Sequence, residues 1–488
     1  PPPPGFTIPL HDDVTAYGDH TVLLTLRNPS SNLVLGALSN AVLTIRNDNT
    51  AAGVQVGLNG PVNTMVVQPD GKVVIGGEFT LVDGRSRNHL ARLNSDTTLD
   101  PTFDPGTGTD ASVLALALQA DERIIVGGAF TNLNGVYCGR IARLNPDGSV
   151  DRSFDSGLGW SGPINPSVNP GVTAVAVQSD GRILTGGSLT NFNGTQRPGI
   201  ARLNPDGSLD TGFVPEVRCF KVTGLVGSPD GQTLVAGTLG LTPVGVDAGL
   251  VRLNTDGTVD TNFSVTNFYF GDVTCMAVEP NGDILAAPYG GFGPTLPAIK
   301  PNGIEDPAFR MSSVSGWVGD ITIQNDGKIL VTSGPYGSLF SYEGWYYTLL
   351  RLNPDGSVDA TFQGLRYPSI TNTYNVSMTV DKTAALPDGT ILVTGTFSEG
   401  ATRPPFYLWR LNPDGSGVQD LHFLPPVRLP NGQLHLALRG QWSKPYALQV
   451  SEDLTNWITV ATNDRPHVPI GYIDSSAPGF RQRFYRVH

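Results

Sequence analysis

The sequence repeats one pattern seven times, and this repetition restricts the folds that are open to the chain. Each copy begins with two apolar runs around a polar corner, as in VNTMVVQPDGKVVIGGEF at 62–79. It continues with two further runs around another corner, as in RIARLNPDGSVDRSFD at 140–155. Because the copies are spaced by roughly 45 to 60 residues, each has the length of one propeller blade.

Each copy predicts four short β-strands, because apolar and polar residues alternate between Gly and Asp corners. In the second copy we expect strands at 113–119, 123–131, 140–145 and about 149–155. A lone four-stranded sheet cannot bury both of its faces, whereas seven sheets in a ring bury each face against a neighbour. We therefore predict an all-β fold, with a seven-bladed β-propeller at 53–424 and flanking β-sandwich-like modules.

The repeated residues are expected to support the fold in every copy. In the corners, Pro presets φ, Asp bonds to the turn backbone and Gly adopts a positive φ. An Arg and an Asp-x-x-Phe sequence also recur, which we interpret as an ion pair within or between blades with the Phe packed between sheets. The Arg residues are Arg92, Arg143, Arg202, Arg252, Arg351 and Arg410. The Asp and Phe pairs are Asp100/Phe103, Asp151/Phe154, Asp210/Phe213, Asp260/Phe263, Asp306/Phe309, Asp359/Phe362 and Asp420/Phe423.

The repeat pattern LQxDGKIxxGGxF followed by RLNxDGSxDxxF resembles the delta-60 repeat family of bacterial β-propellers. The resemblance covers about three quarters of the chain and implies a secreted or cell-surface bacterial protein. Members of the family mostly have no assigned activity. The fifth copy departs most from the pattern, because Ala298-Ile299-Lys300 replaces Ala-Arg-Leu, and we expect a weaker ion pair there.

Residues 6–49 resemble the last half of a Calx-beta module, with Asp12 and Asp13 after a strand and the closing run AVLTIRNDN. We place this partial module at 1–52. The resemblance implies calcium between the strands, but Ala16 stands where an acidic ligand is common, so calcium is only an alternative. A half sandwich has open edges, and a strand from another subunit could complete it.

Residues 425–488 predict a C-terminal β-sandwich module. Its pattern of Tyr446, Trp457 and Phe484 is similar to C-terminal modules of secreted verrucomicrobial and planctomycete proteins, and we expect these rings in its core.

Composition and spacing argue against several classes of function. The net charge is −12 and no basic stripe is present, which argues against nucleic acid. No apolar run approaches the ~20 residues of a membrane span. The three Cys lack CxxC spacing and the seven His lack ligand spacing, so we assign no metal site and require no cofactor. The Cys residues are interpreted as packed thiols.

Ligand binding is expected at the end of the ring opposite the Asp-Gly corners, where loop lengths vary most. Aromatic residues concentrate in these segments and suit a sugar ring or a protein partner, although they could instead pack long loops onto the blades. The ligand-binding candidates are Tyr289, Phe292, Phe340, Tyr342, Trp345 and Tyr346.

We predict a binding or assembly scaffold, with its loop face over blades 4–6 contacting a glycan or a protein, and we assign no catalytic residue. An alternative is a polysaccharide-degrading enzyme that uses loop carboxylates such as Asp320, Glu343 and Asp381. Another alternative is self-association into an extracellular fibre through the incomplete N-terminal module.

Overall fold

The computed structural model is all-β among the residues that it describes. These are residues 57–163, 171–241, 246–263, 265, 272–288, 296–309, 311, 318–332, 340–342, 345–367, 376–399, 406–415, 433 and 456–457, together with the strands of a second unit given below. The chain forms two compact units, one at 55–416 and one that combines 1–54 with 417–488. No helix in the described part of the chain is long and apolar enough to cross a membrane.

The larger unit repeats one antiparallel sheet, here numbered sheets 1 to 7, with an inner, a middle and an outer strand. The inner strands are Val62–Val67, Val113–Leu118, Val172–Val177, Val217–Gly227, Val273–Val278, Asp320–Ile323 and Val376–Ala385. The middle strands are Val73–Gly77, Ile124–Gly128, Ile183–Gly187, Thr233–Leu241, Ile284–Pro288, Ile329–Thr332 and Ile391–Glu399. The outer strands are Leu90–Leu93, Ile141–Leu144, Ile200–Leu203, Val246–Leu253, Ala298–Ile299, Trp345–Leu352 and Phe406–Leu411.

The predicted length of the fourth strand is wrong. In the second copy, the segment predicted as a strand at about 149–155 makes one isolated bridge, between Leu144 and Val150. The backbone then turns, because Asp151 accepts a hydrogen bond from the backbone N–H of Phe154. The Asp-x-x-Phe sequence therefore forms a turn that closes the outer strand, and the same single bridge recurs in sheets 1 to 6.

The sheets pack face to face in cyclic order. Each inner strand contacts the inner strand of the next sheet, and that of sheet 7 contacts that of sheet 1. A separate apolar core fills each junction, and the core between sheets 7 and 1 joins Leu392 and Leu408 to Val73 and Ile75. The prediction of an all-β propeller is confirmed, and we interpret the seven sheets as its seven blades.

The repeated Gly-Gly of the middle strand faces a β-bulge in the inner strand. In sheet 1 the bulge lies between Val62 and Thr64, opposite Gly76 and Gly77. A Cβ on Gly77 would lie 2.1 Å from the carbonyl oxygen of Pro61, so this position requires glycine. The bulge leaves one extra residue, Asn63, whose side chain is free to reach the neighbouring sheet.

Sheet 6 is longer than the others because two short strands extend it. Phe340–Tyr342 and Leu365–Tyr367 both pair with the first part of the outer strand Trp345–Leu352. Small hairpins also connect the middle and outer strands of sheets 1, 2 and 3. The strands of these hairpins are Leu81–Val82, Arg85–Ser86, Asn132–Leu133, Val136–Tyr137, Leu189–Phe192 and Thr195–Gln196, and Trp160–Pro163 pairs with Leu189–Phe192.

The second unit also consists of strands. Its strands are His20–Thr25, Asn40–Ile45, Asp420–Phe423, Val427–Arg428, Leu434–Gln441, Tyr446–Ser451, Ile458–Asn463, Gly471–Asp474 and Phe484–Val487. His20–Thr25 pairs with Asn40–Ile45. Trp457 and Phe484 are half-buried, and the side chain of Tyr446 lies outside the described residues, as do Asp12, Asp13 and Ala16. The three predicted domain boundaries, the two resemblances and strand complementation stay predictions.

Candidate functional site

The Arg residue that recurs in the repeated pattern links neighbouring sheets. In sheet 2, Arg143 Nε lies 2.7 Å from Asp151 Oδ2, and its Nη1 donates to the carbonyl of Pro205 in sheet 3 at 2.6 Å. The guanidinium also stacks over the Phe154 ring, 5.0 Å from its centroid. Arg143 and Asp151 are both buried, so this pair links one sheet to the corner of the next.

The same Arg-Asp-Phe arrangement recurs in sheets 1, 3, 4 and 6. The Arg-to-Asp distance is 2.8 Å in each of these sheets, and each guanidinium lies over its Phe ring. Burial alone would raise the pKa of Asp100, but hydrogen bonds from Thr102, Arg92 and Lys72 outweigh it and hold that pKa well below its usual range. The structural interpretation of the repeated residues is confirmed in these sheets.

Sheets 5 and 7 depart from this arrangement. In sheet 5, Ala298 occupies the position of the Arg, and Lys300 lies 2.9 Å from Asp306 in a partly buried pair, as expected for the divergent fifth copy. In sheet 7, the predicted partner of Arg410 was wrong. Arg410 instead bonds to Asp388 at 2.6 Å, because the segment Asp420–Phe423 forms a strand with Leu434–Gln441 in the other unit.

The cysteines are structural. Cys138, Cys219 and Cys275 are buried and unbonded to one another, as predicted. Burial raises the pKa of the Cys138 thiol to about 12, so it is inert as a nucleophile near neutral pH. Among the residues that the structure describes, no group of His, Cys, Asp and Glu has the arrangement of a metal site.

A charged group distinguishes sheets 6 and 7 from the rest of the ring. Asp320 begins the inner strand of sheet 6, and Asp381 and Lys382 lie in the inner strand of sheet 7. Lys382 Nζ lies 2.8 Å from Asp320 Oδ1. We call these three residues the charged mouth. The other copies carry uncharged residues at the Asp320 and Lys382 position, namely Thr64, Ala115, Ala174, Gly224 and Cys275.

Asp320 is held from several directions. Its Oδ2 accepts a hydrogen bond from the backbone N–H of Thr383 at 3.0 Å, in addition to the contact of Lys382 with Oδ1. Thr383 also donates through Oγ1 to the hydroxyl of Thr322 at 2.8 Å. These bonds cross from sheet 6 to sheet 7 and fix the Asp320 carboxylate in one orientation.

Lys382 stays charged in this environment. Burial alone would lower its pKa, but the charge of Asp320 and the hydrogen bond to it outweigh burial and raise that pKa. The Lys382 side chain keeps 41% of its surface accessible although protein surrounds it, which suits a position that lines the inside of the ring.

Asp381 is the titratable member of the charged mouth. Burial raises its pKa to about 6, Lys382 opposes this shift, and Asp320 adds to it. Its Oδ1 atom is buried and has no hydrogen-bond partner in the described part of the chain. A carboxyl group with this pKa changes charge in mildly acidic solution.

The charged mouth lies at the end of sheet 6 that carries the aromatic extension. Asp320 pairs with Thr332, and Thr332 pairs with Leu349 of the outer strand. The outer strand continues from Leu349 back to Trp345, away from the Asn-Asp-Gly corner at 325–327. Both Asp-Gly corners of this sheet lie at the opposite end, as predicted, since Ile329 pairs with Leu352.

Four of the six predicted ligand residues lie on this extension, which we call the aromatic hairpin (340–347). In its backbone register, Tyr342 pairs with Trp345 and Phe340 pairs with Tyr347. The side chains of the hairpin lie outside the described residues, as do Tyr289, Phe292 and Glu343. The ligand-binding assignment therefore stays a prediction, although the backbone gathers Phe340, Tyr342, Trp345 and Tyr346 on one hairpin.

Sequence reasoning named Asp320 and Asp381 as separate loop carboxylates and missed Lys382. The structure places both carboxylates on inner strands and joins Asp320 to Lys382. An alignment of the seven copies would have identified Lys382 together with Asp320, because the two residues occupy the same position in successive copies.

A family model described as a domain of unknown function (DUF5122) beta-propeller matches six segments of the chain. The segments are 68–103, 119–154, 178–213, 228–263, 324–362 and 386–417. Together they span less than half of the chain, and none covers the divergent fifth copy. This match supports the propeller fold, and a comparison with curated proteins gave no match.

Solved structures show weak likeness. PorZ, a surface component of the type-IX secretion system of Porphyromonas gingivalis, is 12% identical over 93% of this chain, with a TM-score of 0.41. This chain spans 60% of the length of PorZ. A Bacteroides caccae protein of unknown function is 16% identical over 61% of this chain and 92% of its own, with a TM-score of 0.32. A Xanthomonas campestris gluconolactonase is 16% identical over 59% and 86%, with a TM-score of 0.33. These likenesses are too weak to support an inference of function.

Proposed function

We propose that this propeller binds a glycan at the end of the ring formed by the charged mouth and the aromatic hairpin. The observation that carries the proposal is the register of sheet 6. It puts Asp320 at the sheet end from which the hairpin strand Trp345–Leu352 extends. A secreted or cell-surface location is part of the same proposal and rests on the repeat resemblance.

The chemistry of the two features suits a sugar. Aromatic rings bury the apolar face of a sugar ring, while carboxylates and ammonium groups bond to its hydroxyls. Asp320 supplies fixed acceptor oxygens, and Lys382 supplies a donor whose side chain is 41% accessible. Four aromatic residues fall on one short hairpin, which is the composition that such a ligand needs.

The test compares hairpin variants on a glycan array, followed by calorimetry on each positive glycan. Trp345→Ala and Tyr346→Ala should weaken binding at least tenfold, which corresponds to about 1.4 kcal/mol. The matched control is Tyr137→Ala, which removes an aromatic that is 54% exposed on sheet 2. Thermal unfolding should show that all three variants keep the fold. Unchanged glycan binding by both hairpin variants would refute the proposal, and binding only to a protein would replace the glycan with that partner.

A second candidate function is polysaccharide hydrolysis, which the raised pKa of Asp381 favours. A carboxyl group that is neutral near pH 6 can protonate a glycosidic oxygen, while a neighbouring carboxylate stabilises the developing positive charge or activates water. Binding remains the better supported function, because the Lys382 ammonium neutralises the Asp320 carboxylate and so weakens it as a base toward water and as a partner for developing positive charge.

Release of reducing ends from a polysaccharide panel distinguishes the two functions. An enzyme would release them, and Asp381→Asn would abolish the release while glycan binding persists. Glycan binding without reducing ends in any polysaccharide would leave the binding function alone.

A further inference from the structure

A row of side-chain hydrogen bonds connects successive inner strands around the ring. The extra residue of each bulge is the second residue of the aligned inner-strand segment, and in four sheets it donates to the first carbonyl of the next segment. The bonds are Asn63 to Val113 at 3.1 Å, Thr173 to Val222 at 2.6 Å, Thr223 to Val273 at 2.7 Å and Thr274 to Val318 at 2.8 Å. Sheets 2 and 6 carry Leu114 and Gly319 at this position, which cannot donate from a side chain.

Asp381 occupies this position in sheet 7. Its bulge lies between Val380 and Lys382, opposite Gly395, as the bulges of sheets 1 to 4 lie opposite glycines. The next inner strand in the cycle is that of sheet 1, which contacts the strand of Asp381 and begins at Val62. By the repeat of the fold, the carbonyl of Val62 is therefore the acceptor that corresponds to those of Val113, Val222, Val273 and Val318.

An ionised carboxylate cannot make this bond, because it has no proton to donate and repels a carbonyl oxygen. A protonated carboxyl group can donate one hydrogen bond, as Thr and Asn do at the same position in the other sheets. Asp381 Oδ1 is buried and has no partner among the residues that the structure describes, as expected for an atom whose bond needs a proton.

We propose that protonated Asp381 donates a hydrogen bond to the carbonyl oxygen of Val62 and thereby fastens sheet 7 to sheet 1. The carboxyl group takes one proton from solvent when the bond forms and returns it when the bond breaks. The contact between the last and the first sheets of the ring is then controlled by pH, whereas the Thr and Asn bonds are independent of pH.

The groups that face Asp381 set the pH range of this bond. Asp320 favours the protonated form and Lys382 opposes it, and burial raises the pKa of Asp381 to about 6. Cys275 is buried beside Asp320 and Lys382, and burial keeps its thiol neutral. The inner strand of sheet 1, Val62–Val67, contains no titratable residue.

The remaining strands against the inner strand of sheet 7 add few charges. The middle strand Ile329–Thr332 of sheet 6 carries no titratable residue. The middle strand of sheet 7 carries only Glu399, whose side chain lies outside the described residues. The outer strand of sheet 6 carries Tyr346 and Tyr347, whose side chains also lie outside the described residues. It also carries Arg351, which is paired with Asp359. Asp320 and Lys382 are therefore the described charges that act on Asp381.

The sign of the effect follows from the raised pKa. The folded protein binds the Asp381 proton more tightly than the unfolded chain, whose reference value is 3.8. The stabilisation is therefore complete below the unfolded pKa and is lost as pH rises through about 6. Burial and the charge of Asp283 also raise the pKa of Glu279, whose contribution changes in the same direction, so substitutions at position 381 are needed to isolate the effect of Asp381.

The experiment measures unfolding temperature without ligand at about pH 5 and about pH 8, on either side of the expected transition. Asp381→Thr installs the donor that sheets 3, 4 and 5 use. This variant should exceed the wild type in Tm by a few degrees at the higher pH and by much less at the lower pH. Asp381→Asn, a second donor of the original shape, gives the same comparison if Asp381→Thr does not fold. The matched control is Thr223→Val, which removes the corresponding bond between sheets 4 and 5 and should lower Tm by a similar amount at both pH values.

Carbon-13 NMR of the Asp381 carboxyl group, assigned by its absence in Asp381→Asn, reports the titration directly. A transition near pH 6 with the expected Tm difference supports the proposal. A carboxyl group that titrates below about pH 4.5 overturns it, as does a donor variant that has the pH dependence of the wild type. Neither measurement uses a ligand, so both outcomes are independent of glycan binding.

Discussion

Removing Arg143 should destabilise the ring, because this side chain connects two sheets and neutralises a buried carboxylate. The side chains of Arg143 and Asp151 are 6% and 8% exposed. Breaking a buried ion pair from one side costs ~3–5 kcal/mol, since the remaining charge stays buried. Asp151 keeps hydrogen bonds from Ser153 and a contact with Arg123 at 3.5 Å, so the expected loss for Arg143→Ala is ~2–4 kcal/mol.

The assay is urea unfolding followed by tryptophan fluorescence, for Arg143→Ala, Asp151→Asn and the double variant. The two single losses should not add, because each variant removes the same pair. The matched control is Lys300→Ala, which removes the more exposed pair of sheet 5 and should shift the midpoint much less than Arg143→Ala. If Arg143→Ala shifted the midpoint no more than Lys300→Ala, the account of the Arg as a link between sheets would be wrong.

Three further predictions follow from the fold. Gly77→Ala should lower the unfolding temperature much more than Gly84→Ala. The new methyl group would lie 2.1 Å from a backbone carbonyl oxygen at position 77 but in open space at position 84, where only the φ of 74° disfavours alanine. Protonation of Asp100, Asp151, Asp260 and Asp359, whose pKa values are all lowered in the folded protein, should destabilise the ring on acidification. The depressed pKa of Asp100 means that its contribution is present above the unfolded value of 3.8 and is lost as pH falls below it, which circular dichroism during acid titration would detect. Iodoacetamide near neutral pH should leave Cys138 and the other two thiols unmodified in the folded protein and modify all three in urea, as mass spectrometry would show, because burial raises the pKa of Cys138 to about 12.

The repeated parts of the fold were predictable because the same turn and strand residues recur from copy to copy. The corners, the inner and middle strands and the Arg-Asp pairs were all read from sequence, and the register of Ile329 with Leu352 confirms that both corners share one end of the sheet. The fourth strand was not predictable in its length. Alternation around Val150 resembles a strand, but the hydrogen bond from Phe154 to Asp151 turns the chain after one bridge.

The charged mouth was only partly predictable. Asp320 and Asp381 were named among candidate loop carboxylates, but their sequence separation gave no indication that one would bond to Lys382 and the other would lie beside them. The prediction of Asp420 as the partner of Arg410 was wrong for a related reason. The Asp-x-x-Phe sequence at Asp420 matches the repeat, yet its backbone pairs with Leu434–Gln441, and Asp388 takes the vacant place beside Arg410.

The repeating sheet follows from the sequence alone, because turn chemistry and strand alternation are local requirements that recur in every copy. Which of the exceptional residues act together depends on how the sheets pack in three dimensions. Closing the ring brings the inner strands of sheets 6, 7 and 1 side by side, so that Asp320, Lys382 and Asp381 share one buried environment. The pKa of about 6 that Asp381 has there depends on burial, on the adjacent Lys382 and on Asp320, which is more than sixty residues away in the chain.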